Sequence, residues 1–127
     1  DTAEVKKLFQ NDLEGTIAKY AIIQNAKLYR EKIAIAVVDH TVGRIVAAQA
    51  ADELLNIIGI DTSFVLYPDG ERVIISARSM GDTNVQVILE KLGGGGNAAA
   101  AGGQISGKSL SQVATELTQA IDQYLEG

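Results

Sequence analysis

The chain has 127 residues, of which 46% are hydrophobic and 21% charged, the length and composition of one globular domain rather than a disordered segment. It contains no cysteine and a single histidine, His40, which excludes disulfides, thiolate zinc sites and multi-histidine metal sites. The net charge of −5 argues against binding long nucleic acid, because such binding needs a broad basic surface.

The composition also bears on the origin and the location of the chain. The first residue is Asp1 and the only methionine is Met80, so we expect the sequence to be a piece of a longer protein. No apolar run reaches the ~18 residues of a membrane span, so we expect neither a membrane-spanning segment nor a signal peptide within this piece. The absence of cysteine fits a reducing compartment, so we expect a cytoplasmic location for this piece.

The pattern of residues 2–58 predicts a helix, a strand and a second helix. Residues 2 to about 30 carry apolar side chains at helical spacing, and we interpret residues 1–30 as a linker helix before a domain at residues 31–127. Residues 33–39 form an apolar, β-branched run, which is typical of a strand buried on both faces. Residues 45–58 predict a helix that ends at a glycine.

The middle of the chain predicts a β-hairpin. Residues 62–67 and 72–77 have strand patterns, and the tight turn Pro68-Asp69-Gly70 joins them. A short strand is expected at Gln104–Ile105. Helices alternate with strands in the order α-β-α-β-β-α-(β)-α, which predicts an α/β fold with a mixed β-sheet and helices packed on it.

Two helices are predicted from their capping residues. Thr83 with Gln86 fits a capping box, and the helix that it opens is expected to run to about Leu92. Ser109 with Gln112 fits a second capping box, which opens a helix that runs almost to the end of the chain.

A run of four glycines, Gly93 to Gly96, is the strongest local feature, and a small-residue stretch, Asn97 to Gly103, follows it. One interpretation is a flexible loop or helix stop. The other is a binding loop, because successive glycine N–H groups can point at an anion and let a ligand approach the backbone closely. Both interpretations remain open from composition alone.

A formal P-loop pattern lies just downstream, formed by Gly102 and Gly107-Lys108-Ser109. A P-loop comes directly after a buried strand, whereas a stretch of small residues precedes this pattern. The pattern therefore favours a turn and a helix cap.

Ser76-Ala77-Arg78-Ser79 ends a predicted strand just before a helix, a place where ligands commonly bind in open α/β sheets. Arg78 could hold a phosphate in a bidentate way, and Asn84 could bind a base or sugar. The alternatives are a surface arginine in a turn and a helix cap. No pair of acidic residues has the spacing of a catalytic or two-metal site.

Several of these segments resemble the DHHA1 domain of bacterial DHH-family phosphoesterases, and most of all the membrane-anchored cyclic-di-AMP phosphodiesterases. The resemblance lies in Ile74–Ser79, Asn84–Ile88 and Gly93–Gly96, with Ile45–Asp52 and Ser63–Leu66 in support. It covers nearly the whole chain, and only the combination of segments is specific.

The resemblance implies a two-part enzyme. An upstream DHH domain holds two metal ions, usually manganese, while this domain supplies substrate-binding groups and contains no catalytic residue, metal ligand or cofactor. We therefore expect the chain alone to be inactive. The substrate-binding residues implied are Ser76, Arg78, Ser79, Asn84, Gly94, Gly95, Gly96 and Asn97.

The expected ligand is a cyclic dinucleotide or a short linear nucleotide, with the upstream DHH domain as partner. A short-oligonucleotide phosphodiesterase is the neighbouring alternative, and a non-catalytic packing or dimerisation module, with a homodimer as its product, is the other. A longer parent anchored in the cell membrane is also implied. Asn97 departs from the family, which has a histidine after the glycines.

Overall fold

The computed structural model describes the backbone of residues 2–127 and the side chains of residues 12–127. It has the predicted α/β architecture, one mixed sheet with helices packed on it. The elements in chain order are α1 (Thr2–Gln24), β1 (Ala26–Tyr29), β2 (Ile33–Val37), α2 (Arg44–Leu54), β3 (Thr62–Asp69), β4 (Arg72–Ser79), α3 (Val85–Glu90), β5 (Gly95–Gly96), β6 (Ala100–Ser106) and α4 (Leu110–Glu126).

The sheet has the strand order β1-β2-β3-β4-β6-β5. Strands β2 and β3 are parallel, and the other neighbours are antiparallel. A parallel pair needs a crossover, and α2 provides it on one face of the sheet. The predicted hairpin is confirmed as β3 and β4, and its turn contains Gly70 at φ 63°.

Alternate residues of the central strands belong to two hydrophobic cores, one on each face of the sheet, because successive side chains of a strand point to opposite faces. On one face Tyr67 and Ile74 pack with α1 and α2, and on the other Phe64 and Ile75 pack with α3 and α4. Helix α2 contacts β3 and β4, whereas α3 contacts β6 and β5 from the opposite face. The face of β6 that lies beside α2 is therefore open.

The predicted helix over residues 2 to 30 is wrong at its end. It stops at Gln24, and β1 follows as an edge strand paired with β2. Contacts distant in sequence hold this strand: Tyr29 Oη donates to Asp122 Oδ1 at 2.7 Å, and Arg30 Nη2 donates to Glu126 Oε1 at 2.8 Å. No local pattern could reveal them.

The small-residue stretch is also more ordered than predicted. Only residues 104 and 105 were expected in a strand, but all of β6 pairs with β4. Gly102 lies inside that strand and Lys108 pairs with Glu116 at 2.7 Å, so the P-loop pattern is not a phosphate loop. Pairing with a buried neighbour outweighs the poor strand propensity of alanine and glycine.

The two helix caps have opposite outcomes. The Ser109–Gln112 capping box is confirmed, with both reciprocal hydrogen bonds present. The Thr83–Gln86 box is wrong, because Asn84 is the N-cap of α3. The second helix also ends earlier than predicted, at Leu54.

Among the residues that the structure describes, no helix combines the length and the apolarity that crossing a bilayer requires.

Candidate functional site

A cleft opens on the α2 face of the sheet, where β4 and β6 emerge from under the helix. Its volume is about 370 Å³, within the range of small-molecule sites. Arg44 and Ala48 of α2 line one side, Ser76 and Arg78 of β4 line the base, and Gly102 of β6 continues it outward. The cleft exists because α2 is too narrow to cover the sheet beyond β4.

Arg78 is held in place at one end of the cleft. Its Nε donates to Asp52 Oδ1 at 3.0 Å, and its Nη1 donates to the carbonyl oxygen of Ala77 at 2.8 Å. The arginine side chain is 22% exposed and the aspartate side chain 63%. A guanidinium has five N–H donors, so donors remain for a bound anion after both contacts.

The base of the cleft is almost bare backbone. Directly paired residues of neighbouring antiparallel strands share a face of the sheet. Gly102 pairs with Ser76 on one side and with Gly95 on the other, so these three residues form one row. A ligand can therefore approach the backbone from Ser76 to the edge of the sheet, where no glycine side chain intervenes.

The four glycines have different structural roles. Gly93 has φ +85° and ends α3. Gly94 and Gly96 pack against β6, where a Cβ on Gly94 would collide with a backbone carbonyl and one on Gly96 would lie 2.5 Å from a Cα. Gly95 differs, because a Cβ there would meet no heavy atom within 4 Å and its φ lies outside the left-handed region.

This difference predicts that alanine lowers the stability of the fold strongly at Gly96 and very little at Gly95. Gly96→Ala is expected to lower the free energy of unfolding by about 2 to 5 kcal/mol, through strain at φ +148° and overlap with β6. Gly95→Ala is expected to change it by less than about 0.5 kcal/mol. Urea unfolding of both variants measures this, and equal losses would contradict the assignment.

Asn97 closes the turn between β5 and β6. Its backbone N–H donates to the carbonyl oxygen of Ala100 at 2.7 Å, and its Oδ1 accepts the N–H groups of Ala99 and Ala100 at 2.9 Å each. This is the local side-chain to backbone pattern of a turn asparagine. The side-chain carbonyl is engaged, so only the amide NH₂ is suited to donate to a ligand.

Ser79 and Asn84 lie away from the cleft. Ser79 is 6% exposed, points to the opposite face from Arg78, and accepts a backbone N–H of the following turn at 3.4 Å. Asn84 accepts two backbone N–H groups of α3 as its cap. The structure thus brings Ser76, Arg78 and Gly95 together and separates these two residues from them.

Two polar residues that line the cleft, and one that contacts its lining, were missed from the sequence. Arg44 begins α2, Gln104 lies on β6, and Arg72 donates from Nη1 to Gln104 Oε1 at 2.8 Å. Burial raises the pKa of Tyr67, and the neighbouring Arg44 lowers it in part. Arg72 could have been found, because strand alternation places it on the same face of β4 as Arg78.

The described residues contain no group of three or more His, Asp or Glu side chains that could hold a metal ion. His40 lies in another cavity, and its Nδ1 is 3.1 Å from Asp39 Oδ1. The hydrogen bond from His40 lowers the pKa of Asp39.

The family comparison matches most of the chain. The model of the DHHA1 domain matches residues 30–127. The cyclic-di-AMP phosphodiesterase GdpP of Bacillus subtilis is 40% identical over 132 residues, which is 100% of this chain and 20% of that protein. The chain therefore spans about a fifth of the length of this relative.

Solved structures with the same fold include two larger proteins. An exopolyphosphatase-related protein from Bacteroides fragilis has a TM-score of 0.75 and 22% identity, covering 87% of this chain and 34% of that one. The pGpG-specific phosphodiesterase PggH from Vibrio cholerae has a TM-score of 0.63 and 20% identity, covering 96% of this chain and 43% of that one. These two likenesses establish the fold.

Proposed function

The chain belongs to the DHHA1 domain family, and from that premise we propose that it is the substrate-binding part of a longer phosphodiesterase for dinucleotides. The observation that carries the proposal is the cleft of about 370 Å³, with Arg78 at its base and a glycine floor. The activities of two similar proteins support the ligand class, since one is a cyclic-di-AMP phosphodiesterase and the other a pGpG-specific phosphodiesterase.

Each group in the cleft has a role that its chemistry allows. Arg78 binds a phosphate through two N–H donors, and Asp52 holds the guanidinium in that orientation. Ser76 contributes a hydroxyl donor at the base. The glycine row lets a sugar or phosphate lie directly on the backbone, where a side chain would keep it away.

Bond cleavage is assigned to another part of the protein. The described residues supply binding groups but no metal ligand set. The upstream DHH domain that the resemblance implies is the natural source of the hydrolytic groups and of manganese, and closing it over the cleft would complete the site. The linear-oligonucleotide alternative uses the same pair of domains.

Calorimetric titration of the chain with cyclic-di-AMP, linear diadenylate and AMP tests the proposal. We expect both dinucleotides to bind more tightly than AMP, because they fill more of the cleft. Circular dichroism establishes that the chain is folded during the titration. A folded chain that binds none of the three would contradict the proposal and favour the packing or dimerisation module.

The chain alone is expected to hydrolyse no dinucleotide, with or without added manganese, because it lacks a metal ligand set among its described residues. Chromatography of the reaction mixture after prolonged incubation measures this. A mock purification from cells without the expression plasmid is the control for contaminating nucleases. Turnover above that control would contradict the division of labour between the two domains.

A further inference from the structure

The cleft has an arginine at each end. Arg44 begins α2, and Arg78 pairs with Asp52, which lies eight residues further along the same helix. Eight residues of α-helix span about 12 Å. The two guanidinium groups therefore bracket the cavity, and an anion bound at Arg78 leaves the Arg44 end unoccupied.

The Arg44 end offers hydrogen-bond donors and no acceptor of opposite charge. Within the part of the chain whose side chains are described, Arg44 forms no ion pair, and no Asp or Glu lines the cavity. Arg44, Arg72 and Arg78 are three of the four arginines in a chain of net charge −5. Arg78 and Arg72 each have an aspartate partner, so the positive charge of the cleft that no described carboxylate pairs is that of Arg44.

Gln104 adds a donor whose orientation is fixed. Its Oε1 accepts from Arg72 Nη1 at 2.8 Å, so its amide NH₂ group points away from that arginine. Gln104 lines the cavity, whereas Arg72 does not, and Arg72 lies 4.0 Å from Asp69 on the adjacent strand. Arg72 therefore acts through Gln104 and is a positioning residue.

We propose that Arg44 and Gln104 form a second phosphate subsite, so that the cleft holds a dinucleotide by two phosphates, with the terminal one at Arg44. This inference rests on the proposed function and extends it to a preference among ligands. Hydrolysis of one phosphodiester bond of a cyclic dinucleotide consumes one water and leaves a terminal phosphate and a free hydroxyl. A phosphomonoester carries about −1.5 to −2 charges at pH 7, which suits a site made of donors.

The test compares the affinities of the chain for 5′-phosphorylated diadenylate, pApA, and for unphosphorylated ApA by NMR titration, which detects weak binding. The unaltered chain is expected to bind pApA about 10- to 100-fold more tightly, because charge-assisted hydrogen bonds are made to the terminal phosphate. Arg44→Gln is expected to reduce this ratio to below about 3. Arg72→Gln should reduce it as well, and Arg72→Lys, which keeps a donor for Gln104, should recover part of it.

Lys27→Gln is the matched control, since it removes one positive charge from the exposed edge strand at the opposite end of the sheet. It should leave the ratio unchanged, and melting curves of all variants separate loss of binding from loss of fold. Equal affinities of the unaltered chain for the two ligands, or equal losses for both in Arg44→Gln, would overturn the subsite alone. Absence of binding of either ligand to the folded chain would overturn the proposed function, and this inference with it.

Discussion

Replacing Gly95 by valine is expected to weaken dinucleotide binding by more than about 100-fold while the melting temperature changes by less than about 4 °C. A Cβ at this position meets no heavy atom of the chain within 4 Å, so the fold has room for the side chain. Gly95 shares a face with Gly102, and the isopropyl group would occupy the floor on which the ligand lies. Calorimetry and thermal melting measure the two effects.

Lys27→Val is the matched control for this substitution. It places the same β-branched side chain on an exposed position of the other edge strand, β1, and should leave binding intact. Gly95→Ala should give an intermediate loss of affinity, because a methyl group fills less of the floor. A folded Gly95→Val variant with unchanged affinity would show that this glycine is only part of the structural turn.

Replacing Arg78 by alanine is expected to weaken dinucleotide binding about 10- to 100-fold, the effect of losing charge-assisted hydrogen bonds to a phosphate. The free energy of unfolding should fall by less than about 1 kcal/mol, because the ion pair with Asp52 is partly exposed. Titration of the variant with cyclic-di-AMP and urea unfolding measure the two effects. In the longer enzyme, kcat/KM should fall by a similar factor.

Asp52→Asn tests whether the negative charge beside Arg78 affects ligand binding. It keeps the arginine and an oxygen that can accept from Arg78 Nε, and it removes the negative charge, so the affinity should stay within about threefold of the unaltered chain or increase. A loss as large as that of Arg78→Ala would mean that the charge of Asp52 is needed to hold the guanidinium in its binding orientation. Unchanged affinity in Arg78→Ala would return Arg78 to a surface role.

Local sequence patterns predicted the elements whose own residues decide their structure. The apolar run of β2, the hairpin of β3 and β4, and the Ser109 cap of α4 were all confirmed. In each, the burial pattern or the cap lies within a few residues of sequence. Strand β1 was missed, and β6 was predicted only at Gln104 and Ile105, because the partners and anchoring contacts of these strands come from distant parts of the chain.

The residues of the candidate site were also predicted only in part. Ser76 and Arg78, which line the cleft, were candidates because they end a clear strand pattern, and Gly95, which borders it, because it lies in an unusual glycine run. Ser79 and Asn84 were included by proximity in sequence, although strand alternation places Ser79 on the other face. Arg44 was missed because nothing local shows that the start of α2 lies over the open part of the sheet.

The position of the bound dinucleotide decides whether the cleft is the binding site. Isotope-labelled chain titrated with cyclic-di-AMP can be followed by the chemical shifts of its backbone amides. We expect saturable shift changes that cluster at Ser76, Arg78, Gly95 and Gly102, which line or border the cleft between α2 and β6. Shifts confined to the face covered by α3 and α4, or cleft amides that stay unmoved at saturation, would contradict it.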